Sequence, residues 1–133
     1  MLSKDEKDSL SRVRFDHARD CLVEAQELLQ LNRYKGAANR SYYAVFHAIR
    51  SVLALDGIDR RRHAGVISEF QRLYIKTGVF DKEFSDLIGD QFEHRTSSDY
   101  DDFYIISKSE ALELVKGAER FLNAVEAFLR LDY

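Results

Sequence analysis

Asn39-Arg40-Ser41-Tyr42-Tyr43-Ala44-Val45-Phe46-His47-Ala48 reads as a helix with two faces of different chemistry. Tyr42, Val45, Phe46, Ile49, Val52 and Leu53 recur at the three-and-four spacing of a single apolar stripe. Arg40, Tyr43, His47 and Arg50 recur at the same spacing beside it. A helix returns to nearly the same azimuth after seven residues, so Arg40 and His47 project from one line, with Tyr43 between them. A cation, a phenol and an imidazole in one row can hold a phosphate and move a proton.

Working outward, the rest of the chain repeats the helical pattern. Ser3-Lys4-Asp5-Glu6 matches a capping box, in which serine and glutamate satisfy free amide donors reciprocally. Ala18, Cys21, Leu22, Ala25, Leu28 and Leu29 make the first core stripe, and Asn32 to Gly36 reads as a turn. The second helix runs to about Asp56, where Gly57 suits the left-handed residue that closes a helix. Asp59 is expected to cap a third helix with the stripe Val66, Ile67, Phe70, Leu73 and Tyr74, ended by Gly78. Asp81 is expected to cap a fourth, with Phe84, Leu87, Ile88 and Phe92 inward. A serine- and aspartate-rich loop is expected from about Thr96 to Ile106. Ser107-Lys108-Ser109-Glu110 is a second capping box. It opens the cleanest stripe: Ala111, Leu114, Val115, Ala118, Phe121, Leu122, Val125, Phe128 and Leu129.

No segment shows a period of two between turn signals. The fold expected is all-α, an up-and-down antiparallel bundle of four to five helices in one domain spanning residues 1–133. A chain of this length buries roughly two thirds of its unfolded surface and needs no staples. The absence of proline permits long helices. Hydrophobic residues make up 45% and charged residues 32%, the balance of a folded domain rather than a disordered one. A net charge of −3 gives no overall field for nonspecific nucleic-acid binding, so any basic site must be local. Cys21 is alone and cannot form an internal disulfide. No apolar run is long enough to span a membrane and no signal peptide opens the chain, so a cytoplasmic location is expected.

The candidate residues divide by position. Arg40, Tyr43 and His47 form the row described above; the structural alternative is a surface ion pair for Arg40 and a core-edge role for His47. Arg95 continues the apolar stripe of the fourth helix, where a cation needs a partner. Asp99 is the nearest, and such a pair would fasten the following loop and place Tyr100 and Tyr104 nearby. His63 begins the third stripe, either as a partly buried structural histidine or as a second imidazole facing the Arg40 row. The run Arg60-Arg61-Arg62 reads as solvated, and His17 and His94 as surface residues without partners. The histidines lack ligand spacing and there is no cysteine cluster, so no metal is expected and no cofactor is implied. Neither a phosphate-cradling glycine loop nor a nucleophile elbow occurs. Cys21 reads as core packing.

Three separated blocks resemble the HEPN family, the helical domains named for higher eukaryotes and prokaryotes nucleotide-binding. They are Ala38 through Ala48, His63 with Val66-Ile67-Ser68-Glu69-Phe70, and Arg95-Thr96-Ser97-Ser98-Asp99-Tyr100-Asp101. The resemblance spans about Ala18 to Leu129 and is to small bacterial and archaeal members. It implies a helical bundle that usually dimerises, often encoded beside a minimal nucleotidyltransferase in a toxin–antitoxin system. Many such domains are metal-independent ribonucleases whose motif is an arginine followed, after four to six residues, by a histidine, at a cleft between protomers. Arg40 and His47 have six residues between them. In the better-known toxins the motif lies later, near Arg95, where this chain has Asp99 and no histidine at the expected spacing. An aspartate can act as a base, but it supplies no acid near neutral pH unless its pKa is raised.

Three functions follow. In the first, neutral His47 takes the proton of a ribose 2′-hydroxyl and Arg40 stabilises the phosphate oxygens. Tyr43 or Tyr100 then holds the phosphate or stacks on a base, and the His47 of a second copy protonates the leaving 5′-oxygen. In the second, the same stripe, with His63, Arg95, Asp99 and Tyr100, binds a nucleotide or RNA phosphate, or docks a nucleotidyltransferase, without catalysis. In the third, these contacts only stabilise the bundle. The expectation is nucleotide or RNA binding by a homodimer in a toxin–antitoxin or nucleotidyltransferase-associated system, with endoribonuclease cleavage open.

Overall fold

Both serine caps form, in the computed structural model of the chain, by the bonds their spacing requires. Ser3 Oγ accepts from the Glu6 amide and Glu6 accepts from the Ser3 amide; Ser107 and Glu110 do the same. The structure describes residues 1–132, with side chains as far as Arg130; Tyr133, the last residue of the expected domain, lies outside them. Among the described residues there are five α-helices and no strand. They are α1 (Lys4–Gln30), α2 (Tyr34–Leu55), α3 (His63–Phe70), α4 (Glu83–Tyr100) and α5 (Lys108–Asp132), with a π-helical turn, Gln71–Ile75, continuing α3.

Residue pairing fixes the directions. Leu28 meets Gly36 and His17 meets His47, so α1 and α2 are antiparallel. Arg19 pairs with Glu126 and Gln26 with Glu119, so α5 opposes α1. Gln91 meets Leu114 and Leu87 meets Gly117, so α4 opposes α5. The result is the expected up-and-down bundle of α1, α2, α4 and α5, with α3 packed against α2. Helix α2 contacts all four others. Its apolar stripe, Tyr42, Val45, Phe46, Ile49, Val52 and Leu53, is buried throughout and meets Phe70, Phe121, Leu122 and Val125 in the main core.

The turns differ from expectation in four places. The first is shorter: Asn32 takes φ 61° and α2 begins at Tyr34, which leaves Gly36 inside the helix. A Cβ there would stand 3.2 Å from Leu28 Cδ1, so the glycine permits close approach of α1 and α2. Second, Asp59 does not cap α3, which starts after Arg62 without a side-chain cap. Asp59 Oδ1 instead accepts from Arg14 and Arg50, each at 3.1 Å. Third, α4 runs on to Tyr100, so the expected loop from Thr96 shrinks to residues 101–107. Its polar residues satisfy themselves within the helix: Thr96 Oγ1 donates to the Phe92 carbonyl, and Arg95 pairs with Asp99 one turn on. Fourth, Asp81 does not occupy the cap of α4 either: that place is Lys82, without a side-chain cap, and Asp81 one residue earlier accepts from the Glu83 amide at 2.9 Å.

The Arg14–Asp59–Arg50 clasp ties the α2–α3 connection to α1. Arg14 is a buried cation, so removing its carboxylate leaves charge uncompensated. Asp59 is itself largely exposed, which screens the pair. Asp59→Ala is expected to lower stability by about 1–2 kcal/mol, against less than about 0.5 for Asp102→Ala in the exposed loop. Urea denaturation checks this, and equal midpoints for the two variants would contradict it.

Candidate functional site

Helix α2 presents Arg40, Tyr43, His47 and Arg50 as a row of half-buried side chains beside its core stripe. The Arg40 guanidinium lies over the Tyr43 ring, 5.0 Å from its centroid, and that ring stands 6.2 Å from the His47 ring. Helix α1 borders one side of the row. His17 sets its ring edge against His47 at 5.8 Å, Arg14 donates to the Arg50 carbonyl, and Cys21 lies beside Arg40. Burial pushes the Cys21 thiol up, with the Arg40 guanidinium opposing.

Helices α3 and α4 border the other side. His63 stacks on Phe46 with centroids 4.1 Å apart and meets Tyr43 edge-on at 5.9 Å. Its Nδ1 lies 2.6 Å from the Tyr42 hydroxyl. Burial raises the Tyr42 phenol, and burial followed by the Arg95 charge lowers the His63 imidazole. Tyr42 therefore donates and neutral His63 accepts at Nδ1, which leaves the proton on Nε2 as a donor. Arg95 sits over the Tyr42 ring, 5.5 Å from its centroid, and its Nε is 2.9 Å from Asp99 Oδ2. That carboxylate lies off the N–H direction, so the contact is ionic rather than an aligned hydrogen bond.

The structure thus brings together Arg40, Tyr43, His47, His63, Arg95 and Asp99. Arg40 and Asp99 also line one surface groove of about 560 Å³ with Lys35, Asn39 and Ser98, and His47 is not part of that groove. Tyr100 is not brought to the row: it ends α4 with 83% of its surface exposed. Tyr104 turns the other way and bonds His94.

Charge is unevenly distributed here. Against the four guanidinium groups of Arg14, Arg40, Arg50 and Arg95, the carboxylates held in ion pairs among the described residues are Asp59 and Asp99. Arg40 is the least compensated: its guanidinium donates to the neutral Asn39 Oδ1 at 2.8 and 3.1 Å and has no carboxylate partner among the described residues. His47 takes the consequence. Burial, then the charges of Arg50, His17, Arg40 and Arg14, push its imidazole down to about 4. Its Nδ1 is buried without a hydrogen-bond partner. Among the described residues no group of three or more His, Cys, Asp or Glu could hold a metal, and no helix is long and apolar enough to cross a membrane.

A family model for the HEPN domain matches residues 11–128. The chain belongs to the HEPN family. A "UPF0332 protein" of Thermotoga maritima is 33% identical over 124 residues, covering 93% of this chain and 94% of its own. "Putative toxin MJ0142" of Methanocaldococcus jannaschii is 30% identical over 114 residues, 86% of this chain and 78% of its own. "Putative toxin MJ0605" of the same organism is 25% identical over 130 residues, 98% and 96%.

Several members of this candidate site were not singled out from sequence. His17 lies at the surface as expected, but not without a partner, since its ring meets His47; His94, also expected to lack one, bonds Tyr104. Arg14, His17 and Cys21 share a three-and-four spacing on α1, which was a readable signal. The capture of Asp59 by two arginines had none, because it depends on how the α2–α3 connection folds back.

A histidine held neutral gives its folded-state stability fully above its unfolded pKa near 6.5 and loses it as pH falls toward 4. The full shift is worth on the order of 3 kcal/mol, which half-exposure reduces to about 1–2. Between pH 7.5 and 4.5 the urea midpoint of the wild type should therefore fall further than that of His47→Gln. Parallel curves would contradict the assigned environment of His47.

Proposed function

We propose that this face binds the ribose–phosphate backbone of RNA, in a protein acting as the toxin of a toxin–antitoxin pair. The observation that carries the reading is Arg40: a half-buried guanidinium with no carboxylate ion-paired to it among the described residues, stacked on an aromatic ring. Holding a cation there costs desolvation, and an anionic ligand offsets that cost. Arg95 supplies a second guanidinium beyond the Tyr42–Tyr43 pair, and the His63 Nε2–H a neutral donor. Tyr43 offers a π-face for an unstacked base, which favours single strands. The names of two relatives, each called a putative toxin, support the toxin side. The family resemblance supports a homodimer and a minimal nucleotidyltransferase as the other component.

Cleavage is the second reading, favoured by the unpartnered, neutral His47. As a base it would take the 2′-hydroxyl proton while O2′ attacks phosphorus and the bond to O5′ breaks, the departing O5′ taking its proton from solvent water. A group with a pKa of about 4 is scarcely protonated at neutral pH, so a second copy's His47 would not serve as the acid. Binding is the function the geometry supports better.

The test is the affinity for a fluorescein-labelled single-stranded RNA of mixed sequence in EDTA. Arg40→Ala and Arg95→Ala should each weaken binding about tenfold, corresponding to about 1.4 kcal/mol, with flatter salt dependence. Unchanged affinity in both variants would reject the face. RNA cleavage by the wild type in the same buffer, abolished in His47→Ala, would establish the second reading; intact RNA would reject it.

A further inference from the structure

Helices α4 and α5 touch at Phe84–Phe121, Leu87–Gly117 and Gln91–Leu114, and a cleft of about 400 Å³ opens along the last two contacts. It lies on a different face of α4 from the basic row: Arg95 turns toward α2, whereas Asp90 and His94 turn toward α5. Asp90, Glu110 and Glu113 line it against one cation, Arg120. The antiparallel register puts Arg120 and Leu87 at one end, Asp90, Gln91 and Glu113 in the middle, and His94 and Glu110 at the other. Neither Asp90 nor Glu113 takes part in the ion pairs among the described residues, while Glu110 is engaged with Ser107.

Acidic residues alone would not make a site, but the floor of the cleft adds a second observation. Gln91 is 1% exposed, and its Nε2 donates to the Leu114 carbonyl at 2.7 Å. A carbonyl can only accept, so this bond fixes the amide's orientation. Oε1 is then left buried with no partner, among residues that line the cleft. Leaving a buried acceptor unmade is costly. The missing partner is a donor, and the surrounding carboxylates specify that it is cationic.

The connection beyond the His94 end indicates where that cation comes from. Tyr104 bonds His94, and its chain neighbours Phe103 and Ile105 stand 90% and 87% exposed. These two bare apolar side chains are available for contact with another macromolecule. We propose that the α4–α5 cleft receives an arginine side chain of a partner protein, whose flanking apolar residues cover Phe103 and Ile105. The guanidinium donates to Gln91 Oε1 and pairs with Asp90 and Glu113. The cleft repels a phosphate backbone, so this contact is independent of the RNA-binding face.

The test is a ¹⁵N–¹H NMR titration of the full chain with three probes: N-acetyl-arginine amide, spermidine, and the capped peptide Gly-Leu-Arg-Leu-Gly. The Gln91 side-chain amide and the Gly117 amide should shift saturably with the arginine amide and the peptide. The peptide should bind at least tenfold more tightly than the amide, and Phe103→Ser should remove that advantage. Glu113→Gln should weaken both at least tenfold, while Glu27→Gln, an equal charge change on exposed α1, should leave them unaltered. Absent shifts at Gln91 and Gly117, or equal losses in the two glutamate variants, would overturn the site. Spermidine binding as tightly as the peptide would replace the protein partner with a free polyamine.

Discussion

The ring of Tyr42 is the joint on which the functional face depends. It is 2% exposed, on the helix that contacts all the others. Its hydroxyl cannot go unpaired at that depth, and the partner it finds is His63, the first residue of α3. Its face carries Arg95 from α4. One side chain therefore fixes an imidazole and a guanidinium from two different helices against α2. The neighbouring Tyr43 does the same for Arg40 on its own helix. Local chemistry and fold are not separable here, because the residues that hold the helices together also set the charges.

That dependence explains why the bundle was easier to read than the site. The stripes, both serine caps and the glycine stops at Gly57 and Gly78, with φ 72° and 82°, are local patterns, and sequence displays local patterns directly. Asp59 was misread because an aspartate before a helix looks the same whether it caps that helix or reaches back to Arg14. The end of α4 was misread because Thr96, Ser97, Ser98 and Asp99 are common in loops. Their side chains can equally bond within a helix, as Thr96 does to the Phe92 carbonyl. Within the site, the Arg40–Tyr43–His47 row was legible from spacing alone. The effect of α1 on it was not, since the closeness of His17 and Arg14 to His47 and Arg50 is set by how two helices pair. Tyr100 illustrates the converse: adjacent in sequence to Asp99, it faces away.

The molecule has two faces of opposite character. Arginines outnumber carboxylates around Tyr42 and Tyr43, whereas carboxylates outnumber arginines between α4 and α5. Helix α4 contributes to both, with Arg95 on one face and Asp90 on the other. A net charge of −3 conceals this division. It would let one small HEPN bundle hold a polyanion and a protein partner at once, without competition for the same side chains.

The most direct test of the central claim is photocrosslinking of a 4-thiouridine-substituted single-stranded RNA to the intact protein, mapped by mass spectrometry. Crosslinked peptides carrying Tyr43 or His63, lost when Arg40 is replaced, are the expected result. Crosslinks confined to α5 or the α4–α5 cleft, or indifferent to Arg40, would contradict it.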